Sequence, residues 1–240
     1  MLTHPWLGKK VDGSRRQTGA KGRMRRCAIL SPEPTMSPSM TQRLRTAREI
    51  EVKLRVADLP SLVRRLKRLG ATQHGRVLER NTLYDTPESD FRSRGRLLRL
   101  RIETSAPSTL IPGGAKSAIL TSKAPVPDSN RSRYKEKFER EVRVESPSRW
   151  PSALRAIGLR PSFRYEKYRT TFRLPGLHLD LDETPVGVFL ELEGSPRIID
   201  RVARSLGFAP SEYINGTYWD LYAADCRRRG RKPTNMLLST

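Results

Sequence analysis

The chain has 240 residues, 47 Lys and Arg against 25 Asp and Glu, and a formal net charge of +22. Its apolar content of 36% is low for a folded domain but too high for a wholly disordered chain. No run approaches the roughly 18 apolar residues of a membrane helix, so no membrane partner is expected, and the charge points to a polyanion.

Residues 1–45 hold ten Lys/Arg and two Asp/Glu among Gly, Pro and Ser, with no sustained apolar period. They read as a disordered basic N-terminal extension, or as sequence ahead of a later start at Met36 or Met40. Residues 46–226 read as one domain. Strand-type alternation runs over 49–56, 81–85, 97–103, 117–123, 135–145, 164–174, 177–182 and 188–194. Asp58 caps a predicted helix that carries Leu62, Val63, Leu66 and Leu69 and stops at Gly70. Further helices are predicted over 148–157, 196–206 and 211–224, and loops over 104–116 and 124–133. Tyr218 and Trp219 read as helix core. Residues 227–240, with five Lys/Arg and no acid, read as a basic C-terminal tail. Nucleic acid is therefore expected only through the tails. Cys27 and Cys226 lack metal spacing, which suits a reducing, cytoplasmic compartment.

The strands carry charge where a solvated sheet face would be mixed. Glu49, Glu51, Lys53 and Arg55 oppose Ile50, Val52, Leu54 and Val56. Arg99 and Arg101 oppose Leu98, Leu100 and Ile102. Lys135, Lys137, Glu139 and Glu141 oppose Phe138, Val142 and Val144. The same holds for Lys167 and Arg169, for His178, Asp180 and Asp182, and for Glu191 and Glu193. Four helices with apolar faces must cover the apolar strand faces. The class is therefore α+β, an antiparallel sheet curled into a barrel with its charges turned inward. Such a lumen needs compensating charge, because unpaired buried ions are costly. A small polyanion together with Mg²⁺ or Mn²⁺ would satisfy both the cations and the acids.

The motifs also resemble a known family. Glu49-Ile50-Glu51-Val52-Lys53 is similar to the ExExK signature of CYTH domains, the triphosphate tunnel metalloenzymes. Leu98-Arg99-Leu100-Arg101, Leu120-Thr121-Ser122-Lys123-Ala124-Pro125, Lys137-Phe138-Glu139-Arg140-Glu141, Glu166-Lys167-Tyr168-Arg169 and Asp180 followed by Glu191-Leu192-Glu193 resemble its later strands, in order. The resemblance covers about 49–222 and implies an eight-stranded antiparallel tunnel with helices packed outside. It implies that Lys53, Arg99, Arg101, Lys123, Lys137, Lys167 and Arg169 bind a triphosphate. Glu49, Glu51, Asp180, Glu191 and Glu193 would hold divalent metal, with Asp180 a better match than Asp182. Glu139, Glu141 and Lys53 would be the catalytic groups, the two acids by holding metal or positioning water. The implied activities are hydrolysis of tripolyphosphate, thiamine triphosphate or a nucleoside triphosphate, or cyclisation of ATP by a class IV adenylyl cyclase. Non-catalytic binding of polyphosphate or RNA is the reading of another class.

Overall fold

The computed structural model describes residues 45–105, 114, 116–127 and 132–239. The expected N-terminal extension lies outside them, apart from Arg45, as do most of loop 104–116 and part of loop 124–133.

Eight strands form a closed antiparallel barrel: β1 (Arg45–Val56), β2 (Thr72–Asp85), β3 (Leu97–Ser105), β4 (Lys116–Pro125), β5 (Lys135–Arg143), β6 (Arg160–Leu174), β7 (Leu177–Thr184) and β8 (Gly187–Gly194). Their order is β1-β5-β4-β3-β2-β6-β7-β8, and β8 closes on β1. β1 changes partner at Glu51, which faces Lys135 of β5 in one register and Glu193 of β8 in the other. The predicted strands are all present. β2 is much longer than the predicted 81–85, which brings Glu79 into the barrel wall.

Among the described residues five α-helices accompany the barrel: α1 (Leu59–Arg68), the single turn α2 (Asp90–Ser93), α3 (Trp150–Ala156), α4 (Pro196–Ser205) and α5 (Tyr218–Arg228). Asp58 caps α1 by accepting a hydrogen bond from the Ser61 amide at 3.0 Å. Gly70, at φ +79°, releases the chain after that helix, where an L side chain would be strained. The main core lies between α1, α4 and the outer faces of β1, β7 and β8. There Leu62, Leu66, Ile199, Val202 and Leu206 pack with Val52, Leu54, Leu179, Leu190 and Leu192. A second core, with Leu154 of α3 against Tyr84, Leu100 and Ala118, covers another part of the wall. The apolar strand faces thus meet the helices, and the charged faces are left to line the interior.

The stretch after α5 differs from the solvated tail expected over 227–240. α5 runs on to Arg228, and Met236 is almost fully buried. Met236 pairs in parallel with Tyr165 of β6. Its amide donates to the Arg164 carbonyl and its carbonyl accepts from the Glu166 amide, both at 2.9 Å. The reason is local: β7 pairs with β6 only from Tyr168 onward. The first half of β6 therefore keeps an open edge, whose polar groups need partners.

Candidate active site

Period-two alternation turns Glu49, Glu51 and Lys53 of β1 into the lumen, and it does the same for one face of every other strand. The interior is charged, and its centre is closely packed: Lys167 is 1% exposed, and Glu79 and Asp182 are both at 0%. The cations are held by a shared network of acids. Lys53 Nζ reaches Glu191 at 2.6 Å, and Lys167 Nζ reaches Asp182 at 2.6 Å and Glu79 at 3.4 Å. Arg169 touches Asp180 at 2.7 Å, Asp182 at 2.6 Å, Glu79 at 3.5 Å and also Glu191. Arg101 meets Glu79 at 3.1 Å and takes Asn81 Oδ1 at 3.2 Å through Nε. Arg99 donates to Thr121 Oγ1 at 3.2 Å and lies 3.6 Å from Glu141. Its buried Nε has no hydrogen-bond partner among the described residues. Lys123 bridges Glu49 and, at 3.2 Å, Glu139.

The structure therefore brings together Lys53, Arg99, Arg101, Lys123, Lys167, Arg169, Glu49, Glu51, Glu139, Glu141, Asp180, Glu191 and Glu193. Lys137 stands apart at one end of the lumen. It is only half-buried, and its Nζ donates to the Gly95 carbonyl at 3.2 Å. Burial, together with Lys135 and Lys123, holds its ammonium below the usual lysine range. Three lysines thus crowd one place.

Four further residues, three of them buried and Lys135 partly so, were not among the sequence-derived site residues. Glu79 is surrounded by Arg101, Lys167 and Arg169. Lys135 pairs with Glu51. Asp182 accepts from Lys167, Arg169 and, at 2.6 Å, from the Tyr218 hydroxyl. Tyr218 is helix core as expected, packed with Phe163, Tyr165, Phe189 and Met236, and it also places its ring 4.7 Å from Lys53 Nζ and 4.8 Å from Lys167 Nζ. Burial, then the charges of Asp182 and Glu191, hold its phenol well above the usual range, so it is a donor at neutral pH.

The carboxylates differ in their electrostatic state. Burial would raise Glu51, but Lys135 and Lys53 outweigh it and hold its carboxyl well down. Burial is likewise outweighed at Glu79 by Arg101, Arg169 and Lys167, and at Glu191 by Lys53, Lys167 and Arg169. Glu49 goes the other way: burial, reinforced by Glu51 and Glu139, pushes it up to about 7 against the pull of Lys123. Burial, with smaller contributions from Glu139 and Glu51, also raises Glu193. Glu49, Glu51, Glu139 and Glu193 thus repel one another across β1, β5 and β8. An all-oxygen set under mutual repulsion fits a hard cation such as Mg²⁺ or Mn²⁺. Among the described residues no three acids, histidines or cysteines already converge closely enough to hold one. A cation would have to draw Glu49 and Glu51 away from Lys123 and Lys135.

At the Lys137 end the lumen opens into a cavity of about 450 Å³. Lys123, Lys135 and Lys137 line one part of it, and Phe163, Tyr165, Tyr218 and Trp219 another.

A sequence model described as the CYTH domain matches residues 47–206. The chain belongs to the CYTH domain family. CYTH proteins are triphosphatases or adenylate cyclases, so the chain is an enzyme of this group. A Methanocaldococcus jannaschii protein named "Putative adenylate cyclase" is 24% identical over 148 residues, 61% of this chain and 77% of that protein. A solved protein of Pyrococcus horikoshii OT3 has the same fold, with a TM-score of 0.62 and 20% identity over 74% of this chain and 99% of that one. A "putative adenylate cyclase" from Vibrio parahaemolyticus aligns with a TM-score of 0.56 and 19% identity over 72% of this chain and 96% of that one. No helix among the described residues is long and apolar enough to cross a membrane.

Proposed function

We propose that this CYTH protein is a divalent-metal-dependent triphosphatase that hydrolyses a triphosphate inside the barrel. One observation carries the reading: Lys53, Arg99, Arg101, Lys123, Lys167 and Arg169 converge in the barrel interior, and their counter-charges are carboxylates. A triphosphate supplies the same negative charge to the cations. It also frees Glu49, Glu51, Asp180, Glu191 and Glu193 for metal. Arg99 and Arg101 give fork-like contacts to phosphate oxygens, and the lysines give point charges. The unpartnered Nε of Arg99 is ready for one such oxygen.

Phosphoryl transfer is catalysed mainly by positioning and charge stabilisation, which the converging lumen cations offer. A Mg²⁺ or Mn²⁺ ion held by the freed carboxylates would neutralise phosphate charge and polarise phosphorus. Glu139, 3.2 Å from Lys123, stands beside the phosphate-binding cations and is placed to orient a water toward the terminal phosphorus. Glu141 is held in its charged form: burial alone would raise it, but the Thr121 hydrogen bond and Arg99 pull it below the usual range. Lys53 meets charge that develops on the phosphate chain.

The second reading is an adenylate cyclase, in which a ribose 3′-hydroxyl attacks the α-phosphorus and diphosphate leaves. The names carried by the Methanocaldococcus and Vibrio proteins favour it. The deciding experiment supplies the purified protein and Mg²⁺ or Mn²⁺ with tripolyphosphate, thiamine triphosphate and ATP, and separates the products. Orthophosphate supports the triphosphatase, and cyclic AMP with diphosphate supports the cyclase. No turnover of any of the three overturns both.

A further inference from the structure

We infer that Asp200, on α4 outside the barrel, is a positioning residue that holds Lys135 and Lys53 in the lumen for a triphosphate, acting through Tyr134 and Tyr213. The inference rests on the proposed triphosphate chemistry and adds to it an outer anchor and a further lumen cation, Lys135.

Glu51 and Lys53 are successive inward positions of β1, and their backbone groups point to the same sheet edge. At Glu51 that edge pairs with Lys135, the first residue of β5. At Lys53, where β5 has not yet begun, the Ile214 amide takes its place and donates to the Lys53 carbonyl at 2.8 Å. The wall at this seam is thus built from the ends of two connecting segments, 132–135 and 213–215. Segments with so few ladder bonds are where a sheet opens most readily.

Both segments are tied to one atom. Tyr134, immediately before Lys135, donates its hydroxyl to Asp200 Oδ1 at 2.8 Å. Tyr213, immediately before Ile214, donates to the same oxygen at 2.9 Å. Arg133 donates to Asp200 Oδ2 at 2.7 Å and, through Nε, to the Tyr134 hydroxyl oxygen at 3.0 Å. Asn215 adds a cross-tie by donating to the Ser132 carbonyl at 3.3 Å. Burial, then the bond to Asp200, pushes the Tyr213 phenol up to about 12, and burial also raises Tyr134, so both are donors at neutral pH. The carboxylate stands on a fixed support, because its neighbour Ile199 and the nearby Val202 are buried in the main core. It is the one acid of α4.

Alternation carries the anchor inward. Tyr134 reaches out to α4, so Lys135 turns into the lumen, where it pairs with Glu51. A metal that takes Glu51 removes that partner. A lysine held by Glu51 alone could then swing away, whereas one fixed at Tyr134 stays where a phosphate oxygen can replace the carboxylate. The Ile214 bridge holds the backbone of Lys53 in the same way.

Two measurements on the full chain test the assignment. Acylation by a dilute amine-reactive ester, read residue by residue by mass spectrometry without ligand, reports how firmly Lys135 is held. Calorimetric Kd for tripolyphosphate, in chelator to prevent turnover, reports binding. In Asp200→Ala, Lys135 should label about tenfold faster and the Kd should rise about tenfold, as loss of a hydrogen bond to a charged group implies. Lys167 should keep its parental labelling rate. Asp200→Asn, whose carbonyl oxygen can accept both hydroxyls, should restore both values to within about a factor of two. Tyr134→Phe, which keeps the ring and removes one hydroxyl, should move both in the direction of Asp200→Ala. In a Lys135→Met background, Asp200→Ala should raise the Kd less than it does in the parent. A parental Lys135 labelling rate in Asp200→Ala and Tyr134→Phe overturns the positioning role, and so does equal acceleration at Lys167, which marks general loosening. Faster labelling with an unchanged Kd overturns the part played in binding. A parent that does not bind tripolyphosphate overturns the triphosphate reading, and the labelling rates then decide the anchor on their own.

Discussion

Glu79→Gln tests the charge network most directly, because the substitution keeps side-chain shape and removes one buried charge. Glu79 is fully buried, with Arg101 at 3.1 Å, Lys167 at 3.4 Å and Arg169 at 3.5 Å. A glutamine cannot balance those cations, and its amide group turns a donor toward donors. Breaking a buried ion pair from one side costs about 3–5 kcal/mol. Lys167 and Arg169 retain Asp182, so the lower end applies, about 3 kcal/mol. For a domain of this size that lowers Tm by about 6–12 °C. Thermal unfolding followed by circular dichroism at neutral pH, without ligand, measures it. Tripolyphosphate, which supplies the missing negative charge, should recover more Tm in the variant than in the parent. The half-exposed pair Arg76–Glu183, at 2.8 Å, is the control, and Glu183→Gln should change stability by less than about 1 kcal/mol. A Glu79→Gln protein within about 1 kcal/mol of the parent would refute the network argument.

Glu51→Gln or Arg101→Ala should abolish turnover of the substrate identified by product analysis while circular dichroism shows a retained fold; full activity in both removes the lumen as the site. Glu139→Gln should lower kcat by about 10²–10⁴-fold, as for a water-positioning acid, and a kcat within a factor of two would exclude that role. Chelation should stop turnover, and Mg²⁺ or Mn²⁺ should restore it; unaffected activity in chelator would exclude the metal. Glu51, Glu79 and Glu191 are held below the usual carboxylate range, so their stabilisation is present above about pH 4.5 and lost as acid titrates them. Glu49, raised to about 7, opposes folding as pH climbs from 4.5 through 7. Glu49→Gln should therefore gain about 1–3 kcal/mol over the parent at pH 8 and nothing near pH 4.5, read from denaturant midpoints without metal.

The barrel was legible because its strands are inside-out: apolar residues at Val52, Leu54, Leu190 and Leu192 alternate with charges too regularly for a solvated sheet. β2 was legible only over its last residues. Over Thr72–Arg76 both faces are polar or exposed, so no period-two signal marks a strand, and nothing local sets Glu79 apart as an interior acid. Tyr218 was hidden for another reason. Its spacing is that of a helix core, and only the approach of α5 to Asp182, Lys53 and Lys167 gives it a polar role. Met236 follows a run of basic residues, and the strand edge that buries it lies far back in the chain. Such long-range completion of an open edge leaves no local pattern.

The change of partner within β1 bears on how the chain is made. Glu51 lies in the first strand of the barrel to leave the ribosome, yet its β8 neighbour, Glu193, lies in the last. Until then the strand that carries Glu49, Glu51 and Lys53 has no strand partner along Val52–Val56, with Val52, Leu54 and Val56 still uncovered. Closure across so long a separation is slow, and an unpaired apolar strand is exposed to wrong partners while it waits. Its charged face, Glu49, Glu51, Lys53 and Arg55, is the kind of sequence that discourages edge-to-edge pairing between chains. Glu49, Glu51 and Lys53, proposed above to hold metal and phosphate, would thus also guard the nascent strand against aggregation.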